Sequence, residues 1–389
     1  MIFLDHGTTT PLLPEVYAAM RPYYEDRFAV ASGQYAAARQ ARKDVEGARE
    51  TLAGILNCRP AEIIFTSGGT EAANLAVRGI AEANRRRGDH IITTQIEHRA
   101  VLDVCQQLER QGFRVTYLPV SGEGVVDLAA LEQALDDRTI LVAVMLANNE
   151  VGTLQPLDEV MRLVRAQRRP IPIYTDAAAA GGALDLDVQR LGVDLLSLSA
   201  HKANGPVGAG LLYARRPIAR PEPQIVGGNQ ERNRRAGTEP LATIVGMARA
   251  FELAYADLDA RRAHLQGLSD RLVSGLLATV PDSALAGPPD PAARLPHLAT
   301  LCFRYIDGEA MVLNLDVQGL AAASGSACAS ATFDPSHVLR AMGVPKELAH
   351  GNLRLGVGVG TTAADIDQAL EIIPRVVERL REISPLTPG

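Results

Sequence analysis

The sequence predicts an α/β fold with a mostly parallel sheet and a smaller second domain. In roughly the first 240 residues, short apolar runs alternate with helical patterns. That alternation is typical of parallel strands covered by helices on both faces. A long helical stretch at 241–280 and a Pro-rich loop at 287–296 then change the pattern. Because 389 residues exceed what one small core needs, we interpret the change as a second domain.

Seven segments have the length and composition of strands. They are EIIFT (62–66), HIITT (90–94), RVTYL (114–118), ILVAVML (140–146), IPIYT (171–175), DLLSLS (194–199) and AGLLYA (209–214). Helices are predicted at 70–88 and at 100–112, where Gly112 suits a helix C-terminus. We place the large domain at 16–259 and a small α+β domain at 1–15 and 260–389.

Composition excludes several classes of protein. The net charge of -6 gives no basic surface for nucleic acid. No apolar stretch approaches the length of a membrane span, and the N-terminus does not have the pattern of a signal peptide. We therefore expect a cytoplasmic protein. The four cysteines form no CxxC pair, so we expect neither a metal site nor disulfides, and at least one thiol could be reactive.

Polar residues follow five of the predicted strands. Ligands of such sheets bind beyond the carboxyl ends of the strands, so these residues should meet in one crevice. Thr66–Glu71 contains Gly68-Gly69 and begins a helix, which suits a phosphate group, although taken alone the pattern more often marks a plain tight turn with an N-cap threonine. The other strand ends supply His98, Asn148-Asn149-Glu150, Asp176 and His201-Lys202.

These residue types together indicate pyridoxal 5'-phosphate (PLP). This cofactor needs a phosphate site, a carboxylate on its pyridine nitrogen and a ring stacked on its face. It also needs a lysine amine to bind its aldehyde. Lys202 at the end of a buried strand would serve that purpose.

The chain resembles the cysteine desulfurases, PLP enzymes of the class-V aminotransferase superfamily that release sulfur from L-cysteine. The resemblance runs nearly end to end. The motifs that carry it are TSGGTEAANLA (66–76), EHRAVL (97–102), NNEVGT (148–153), SLSAHKANGPVGAG (197–210), RRAGTEP (234–240), ASGSACAS (323–330) and SHVLRAMG (336–343). It implies PLP-dependent transferase fold type I, with a large domain built on a seven-stranded sheet.

The resemblance also implies roles for matching residues. Lys202 would attach PLP covalently and remove the substrate α-proton, and Asp176 would pair with the pyridine nitrogen. His98 would stack on the ring and, as a catalytic residue, help to move protons. Asn149 and Arg354 would bind the substrate carboxylate, with Asn149 also near the cofactor. The phosphate would be held by Gly69, Thr70, Ser199 and His201, and by Thr238 of a neighbouring subunit, which implies a homodimer.

The sulfur acceptor implied by the resemblance is Cys328. It lies among small residues in a segment similar to the subgroup whose cysteine is carried on a long loop. That subgroup typically supplies iron–sulfur scaffolds and tRNA thiolation, so an acceptor protein is expected as a partner. Cys58, Cys105 and Cys302 lie in helical or strand patterns and are expected to be inert.

Four departures from the family pattern favour a specialised enzyme. Ala179 stands where the family usually has a glutamine, and Val359 stands where it often has an arginine. AVASGQY (29–35) replaces the segment that the family usually has at an active-site wall. His6-Gly7 lie in the N-terminal motif, near the expected substrate entrance. The alternatives are a C–S β-lyase, a selenocysteine lyase, or a relative that has the fold but lacks the chemistry. A β-lyase would not need Cys328.

Overall fold

The computed structural model describes residues 1–325 and 335–384. Its strands are β1 (Ile2–Phe3), β2 (Ile63–Thr66), β3 (His90–Thr94), β4 (Arg114–Leu118), β5 (Thr139–Ala143), β6 (Ile173–Asp176), β7 (Leu195–Ser199), β8 (Gly210–Ala214), β9 (Ser283–Ala286), β10 (Leu298–Phe303), β11 (Leu320–Ala321) and β12 (Asn352–Gly356). Its helices are α1 (Pro14–Met20), α2 (Pro22–Glu25), α3 (Ala36–Ile55), α4 (Gly69–Asn84), α5 (Arg99–Arg110), α6 (Leu128–Ala134), α7 (Leu157–Arg165), α8 (Val188–Leu191), α9 (Gln230–Asn233), α10 (Leu241–Ala256), α11 (Leu258–Thr279), α12 (Gly308–Val317), α13 (His337–Ala341), α14 (Lys346–Ala349) and α15 (Ala363–Ile383).

The seven predicted strands form one sheet, in the order β2-β8-β7-β6-β5-β3-β4. Strand β8 is antiparallel to both of its neighbours, and the other pairs are parallel. Most strand residues are fully buried, because helices cover both faces, as the near-continuous apolar runs predict. The predicted α/β class and its mostly parallel sheet are confirmed.

Strand β5 is shorter than its apolar run suggested. The run ILVAVML extends to 146, but β5 ends at Ala143. Beyond that point the chain still bonds to one neighbour, since Val144 N–H donates to Tyr174 O at 3.0 Å and Leu146 N–H donates to Asp176 O at 2.9 Å. The pairing of β5 with β3 ends at Ala143. The apolar run therefore corresponds to a buried segment that is longer than the strand itself.

The helical pattern at 241–280 is two helices rather than one. Asp257 interrupts it with φ −147° and ψ 72°, which ends α10, and its side chain accepts a hydrogen bond from Ala260 N–H at the start of α11. Asp is a favoured N-cap residue. No proline lies between residues 241 and 280, so the sequence carried no strong signal for the break.

A second apolar core surrounds a smaller sheet of order β12-β10-β9. Residues from both ends of the chain meet in it, including Leu4, Leu265, Leu301 and Ile373. This agrees with a small unit that combines the N-terminus with the C-terminal third, although the division at residues 15 and 259 remains a prediction. Among the described residues, no helix has both the length and the apolar character needed to cross a membrane.

Candidate active site

A pocket of about 280 Å³ lies at the carboxyl ends of the central strands. Nine of the residues singled out in the sequence line it: Gly69, Thr70, His98, Asn149, Asp176, Ser199, His201, Lys202 and Arg354. They come from six separated stretches of the chain. The crevice therefore lies where the polar residues at the strand ends predicted it, while the role of each residue remains a proposal.

The first wall is the start of α4. Gly68 precedes the helix with φ 155°, a conformation that side chains rarely permit. A Cβ on Gly210 of the neighbouring strand β8 would lie 2.6 Å from Gly68 Cα, so two glycines allow loop and strand to touch. Among the described residues no side chain caps α4. Its first N–H groups and the helix dipole therefore suit an anion beside Thr70.

Asp176 ends strand β6 and is 8% exposed. Its Oδ1 accepts hydrogen bonds from Ala178 N–H at 2.9 Å and from the Ser197 hydroxyl at 3.1 Å. Because Ser197 gives its proton to Asp176, the Tyr174 hydroxyl must donate to Ser197, at 2.8 Å. A buried hydroxyl chain therefore holds the carboxylate from behind, which suits a fixed anion at the pocket floor.

His98 is the N-cap residue of α5. Its Nδ1 accepts a hydrogen bond from Ala100 N–H at 3.1 Å. The capping bond fixes the orientation of the imidazole and leaves the proton of the neutral ring on Nε2. A ring held in this way is suited to the predicted stacking against a flat ligand, and the capping bond that holds it was not predicted from the sequence.

The end of strand β7 supplies Ser199, His201 and Lys202. His201 Nδ1 is hydrogen-bonded to Thr9 Oγ1 at 3.1 Å, and Lys202 Nζ donates to Gly7 O. Burial, and secondarily the nearby charge of Lys202, lowers the pKa of His201 to about 4. This imidazole is therefore neutral at physiological pH and acts as a hydrogen-bonding group rather than a cation.

The opposite wall carries a guanidinium. Arg354 of β12 donates from a terminal nitrogen to Asp5 Oδ1 at 3.2 Å and to the Thr8 hydroxyl, while its Nε has no protein partner in the described structure. The side chain is only 12% exposed. A planar cation with unused donor capacity is well suited to bind a carboxylate in two contacts.

The three consecutive polar residues 148–150 have different structural roles. Asn148 is fully buried and holds a turn, with its Oδ1 accepting from Glu150 N–H at 2.8 Å and Val151 N–H at 3.0 Å. Glu150 accepts a hydrogen bond from the Ser336 hydroxyl, and burial raises its pKa. Asn149 alone lines the pocket.

Thr238 is a predicted site residue that does not line this pocket. Thr238 lines a different surface cavity together with Tyr24 and Phe28. Cys328 lies outside the described residues. Burial raises the pKa of Cys58 to about 12, that of Cys302 to about 12, and that of Cys105 as well. These three thiols are therefore protonated and poorly nucleophilic.

The sequence missed several residues of the pocket and one buried acid behind it. Thr8, Met145 and Ala147 line the pocket, and no local pattern distinguishes them from packing residues. Glu97 is fully buried, with Oε1 accepting from Thr94 and Met145 N–H, and its Oε2 has no partner in the described part of the chain. Burial raises the pKa of Glu97 to about 8.

The positions that depart from the family pattern lie in different places, and residues 29–32 of the replaced segment line two surface cavities away from this pocket. Ala179 lines the pocket, so the missing glutamine does change its wall. His6, expected near the substrate entrance, is instead 7% exposed and lies in the wall of two other cavities, with Val359 in the larger of them. Replacing the glutamine therefore affects the site directly, whereas His6 and Val359 lie outside this pocket.

The donor set of the pocket fits PLP. The uncapped start of α4 with Thr70, Ser199 and His201 provides donors for a phosphate. Asp176 provides a buried anion, His98 a fixed ring, and Lys202 an amine in the same pocket. Within the described residues, no cluster of three or more metal-binding side chains is found.

Comparisons with known proteins agree on one family for this chain. The chain matches the aminotransferase class-V family over residues 2–369. It is 45% identical to the cysteine desulfurase IscS of Clostridium botulinum over 385 residues, covering 99% of this chain and 96% of that protein. A NifS-like protein has a similar structure, with a TM-score of 0.91, 34% identity and coverage of 97% and 100%.

A second solved structure, SspA in complex with cysteine, is also similar. Its TM-score is 0.79 and its identity 31%, over 92% of this chain and 99% of that one. The matches agree with the PLP fold type I expected from the sequence motifs. The chain therefore belongs to the class-V aminotransferase family, and within it to the cysteine desulfurases.

Proposed function

We propose that this protein is a PLP-dependent cysteine desulfurase that converts L-cysteine to L-alanine and passes the sulfur to Cys328. The observation that carries the proposal is the convergence of Lys202, Asp176, His98 and Arg354 on one pocket. Binding L-cysteine requires a cation for its carboxylate, and the chemistry requires an amine and a cofactor site. The pocket supplies all three.

Each side chain then has a physical task. Arg354 and Asn149 bind the substrate carboxylate, and Arg354 exchanges its bond to Asp5 for the new one. Lys202 Nζ acts as a general base that removes the proton from the substrate α-carbon. It later acts as a general acid and donates a proton at a different atom. Asp176 would hold a positive charge on the pyridine nitrogen of the cofactor, and His98 would pack on its ring. PLP, when bound, acts as the sink for the electrons released at the α-carbon.

Sulfur transfer uses a thiolate of the protein. The thiolate of Cys328 attacks the substrate sulfur, an S–S bond forms and the substrate C–S bond breaks. The electron pair of the broken bond stays with the carbon fragment, which takes up protons to become alanine. Because only the thiolate is nucleophilic, and an ordinary cysteine pKa is about 8.5, the transfer should accelerate as the pH rises toward that value. A sulfur-acceptor protein then removes the persulfide sulfur.

The proposed enzyme is a homodimer in which Thr238 reaches the phosphate of the neighbouring subunit. Two observations support a second copy. Thr238 is away from the pocket of its own chain, and exposed aromatic residues lie near it, including Tyr24 at 63% and Phe28 at 78% exposure. Burying such side chains against another copy is favourable.

Mixing two inactive variants tests this arrangement. Lys202→Ala lacks the amine and Thr238→Ala lacks the donated hydroxyl. In a mixed dimer, the site with an intact Lys202 receives Thr238 from its partner, so activity should return on mixing. Absence of any recovery in a verified mixed dimer would contradict the shared site.

The departures at Ala179 and at residues 29–35 support a specialised role in a cytoplasmic sulfur pathway rather than general supply. Expression in cells that lack their housekeeping desulfurase tests this part. Full restoration of iron–sulfur assembly would contradict it, while failure with an active purified enzyme would support it.

Product analysis tests the main proposal. The PLP-loaded protein is incubated with L-cysteine, with and without a reductant. Alanine and sulfide that depend on the reductant are expected, and Cys328→Ala should abolish both. Pyruvate and ammonia would instead show a C–S β-lyase, in which Cys328→Ala is harmless. Faster turnover of selenocysteine that is independent of Cys328 would show a selenocysteine lyase.

A further inference from the structure

A second, much smaller cavity touches Lys202. It has a volume of about 20 Å³, which is room for one water molecule. Its walls include His6, Asn204, Arg261 and His297. Lys202 is the one described residue that it shares with the proposed PLP pocket. The lysine therefore lies between the place where chemistry occurs and a separate polar cavity.

Three nitrogen atoms in the walls of this cavity are buried without a partner in the described structure: His6 Nδ1, His297 Nδ1 and Arg261 Nε. Buried polar atoms are nearly always hydrogen-bonded, and an ordered water commonly supplies the missing bonds. Asn204 already accepts from Arg261 at 2.9 Å, so the guanidinium is held in place. The cavity therefore has the size, the donor and the acceptors of a water site.

His6 also lines a much larger cavity of about 540 Å³. Thr10 and Asn204 are the other residues that both cavities share. The imidazole is 7% exposed and packs on Gly358, where a Cβ would lie 2.5 Å from the ring, and against the edge of Phe3. His6 is thus fixed between the larger cavity and the small one beside Lys202.

The charges around the two histidines distinguish them. Burial, followed by the charges of Lys202, Arg261 and His6, lowers the pKa of His297 to about 3. Burial also lowers the pKa of His6, but Asp5 partly offsets this effect. Asp365 is a further acid in the wall of the larger cavity. His297 is therefore neutral and can hydrogen-bond through its unpartnered Nδ1, while the neighbouring Asp5 favours the protonated form of His6.

We propose that the small cavity binds a water molecule through which His6 carries protons between Lys202 and the larger cavity. A proton leaves Lys202 Nζ for the water, and the water gives one of its own protons to His6 Nδ1. His6 then releases its Nε2 proton to the larger cavity, so charge and atoms balance. The proposal rests on the proposed function, because it requires Lys202 to act as the base. It makes His6 a positioning and relay residue.

The test compares His6→Ala with His264→Ala in the PLP-loaded enzyme. His264 is exposed on α11, the helix that carries Arg261, and serves as the matched control. We expect kcat of His6→Ala to fall about 10²-fold with little change in KM, at the lower end of the usual worth of a proton-transfer group. Added imidazole, which fits the larger cavity, should restore kcat several-fold. His264→Ala should match the wild type.

A second readout needs no turnover. After a pH jump without substrate, the absorbance of the bound cofactor should relax more slowly in His6→Ala, and imidazole should restore its rate. Unchanged rates in a folded variant, or slowed rates that imidazole does not restore, would overturn the relay. His6→Asn, checked by thermal unfolding, replaces His6→Ala if the latter does not fold. Covalent cofactor attachment persisting in Lys202→Ala would instead refute the proposed function.

Discussion

The two walls of the pocket differ in how the chain builds them. The sheet wall takes Thr70, Asp176 and Lys202 from positions at or just beyond the ends of strands, so each is placed by its own local element. The facing wall joins Arg354 to Asp5, which lies 349 positions away in the chain. The first wall offers anion, ring and amine contacts for a cofactor, and the second offers a cation for a substrate. The difference suggests that cofactor binding and substrate binding can be impaired separately.

The largest effect should come from the sheet wall. Asp176→Asn removes the anion opposite the pyridine nitrogen and leaves its neighbours in place, so we expect turnover to fall about 10³-fold, in the range of a lost electrostatic contact. Cofactor occupancy and absorbance should change with it. Asp185→Asn, at an exposed acid, is the control. Normal turnover of Asp176→Asn would contradict the proposed role of Asp176 in catalysis.

A Glu97→Gln variant tests whether Glu97, the buried acid behind the sheet wall, is protonated in the folded protein. The folded state holds a proton up to about pH 8, whereas the unfolded chain releases it near 4.5, so wild-type stability should fall as pH rises through this window. Gln cannot titrate and keeps the acceptor for Thr94 and Met145. Glu97→Gln should match the wild type near pH 5 and exceed it by about 3 kcal/mol near pH 8, since each pH unit contributes up to about 1.4 kcal/mol.

Urea unfolding curves of both proteins at several pH values measure this difference. The change in the difference with pH isolates Glu97 from the other titrating groups. Parallel curves for the two proteins would mean that Glu97 is ionised in the folded state.

The facing wall should show a smaller effect of another kind. Arg354→Lys keeps the charge but loses the two-point contact, so KM for L-cysteine should rise about 10- to 100-fold. The absorbance of the resting cofactor should stay the same. Arg375→Lys, at a residue whose side chain is 70% exposed, is the control. Cofactor loss in Arg354→Lys would show that the two walls are not separable.

The smallest expected effect concerns the hydroxyl chain behind Asp176. Tyr174→Phe removes the donor to Ser197 and should cost about 1 kcal/mol of stability, the usual net worth of a hydrogen bond. It should also shift the absorbance of the bound cofactor. Tyr213→Phe is the matched control, because Tyr213 is equally buried in the same sheet but bonds to Arg215. Equal spectra for the two variants would show that the chain does not reach the cofactor.

The contrast between the walls also explains which features the sequence could predict. Strand ends and glycine turns are local, so Thr70, His98, Asp176 and Lys202 could be placed in one crevice before the structure was known. Thr8 and Met145 carry no local pattern, and their presence in the pocket follows from tertiary packing. Arg354 required the family resemblance, and the burial of Glu97 depends on neighbours distant in the chain. The break at Asp257 was not predicted because no proline interrupts residues 241–280.

The central claim is that sulfur leaves L-cysteine and arrives on Cys328. A single turnover with sulfur-labelled L-cysteine, without reductant, tests it most directly, with mass spectrometry of the Cys328 peptide and quantification of alanine. The account predicts one labelled persulfide on Cys328 for each alanine formed, and neither product in Lys202→Ala. Alanine or pyruvate formed without label on Cys328 would contradict it.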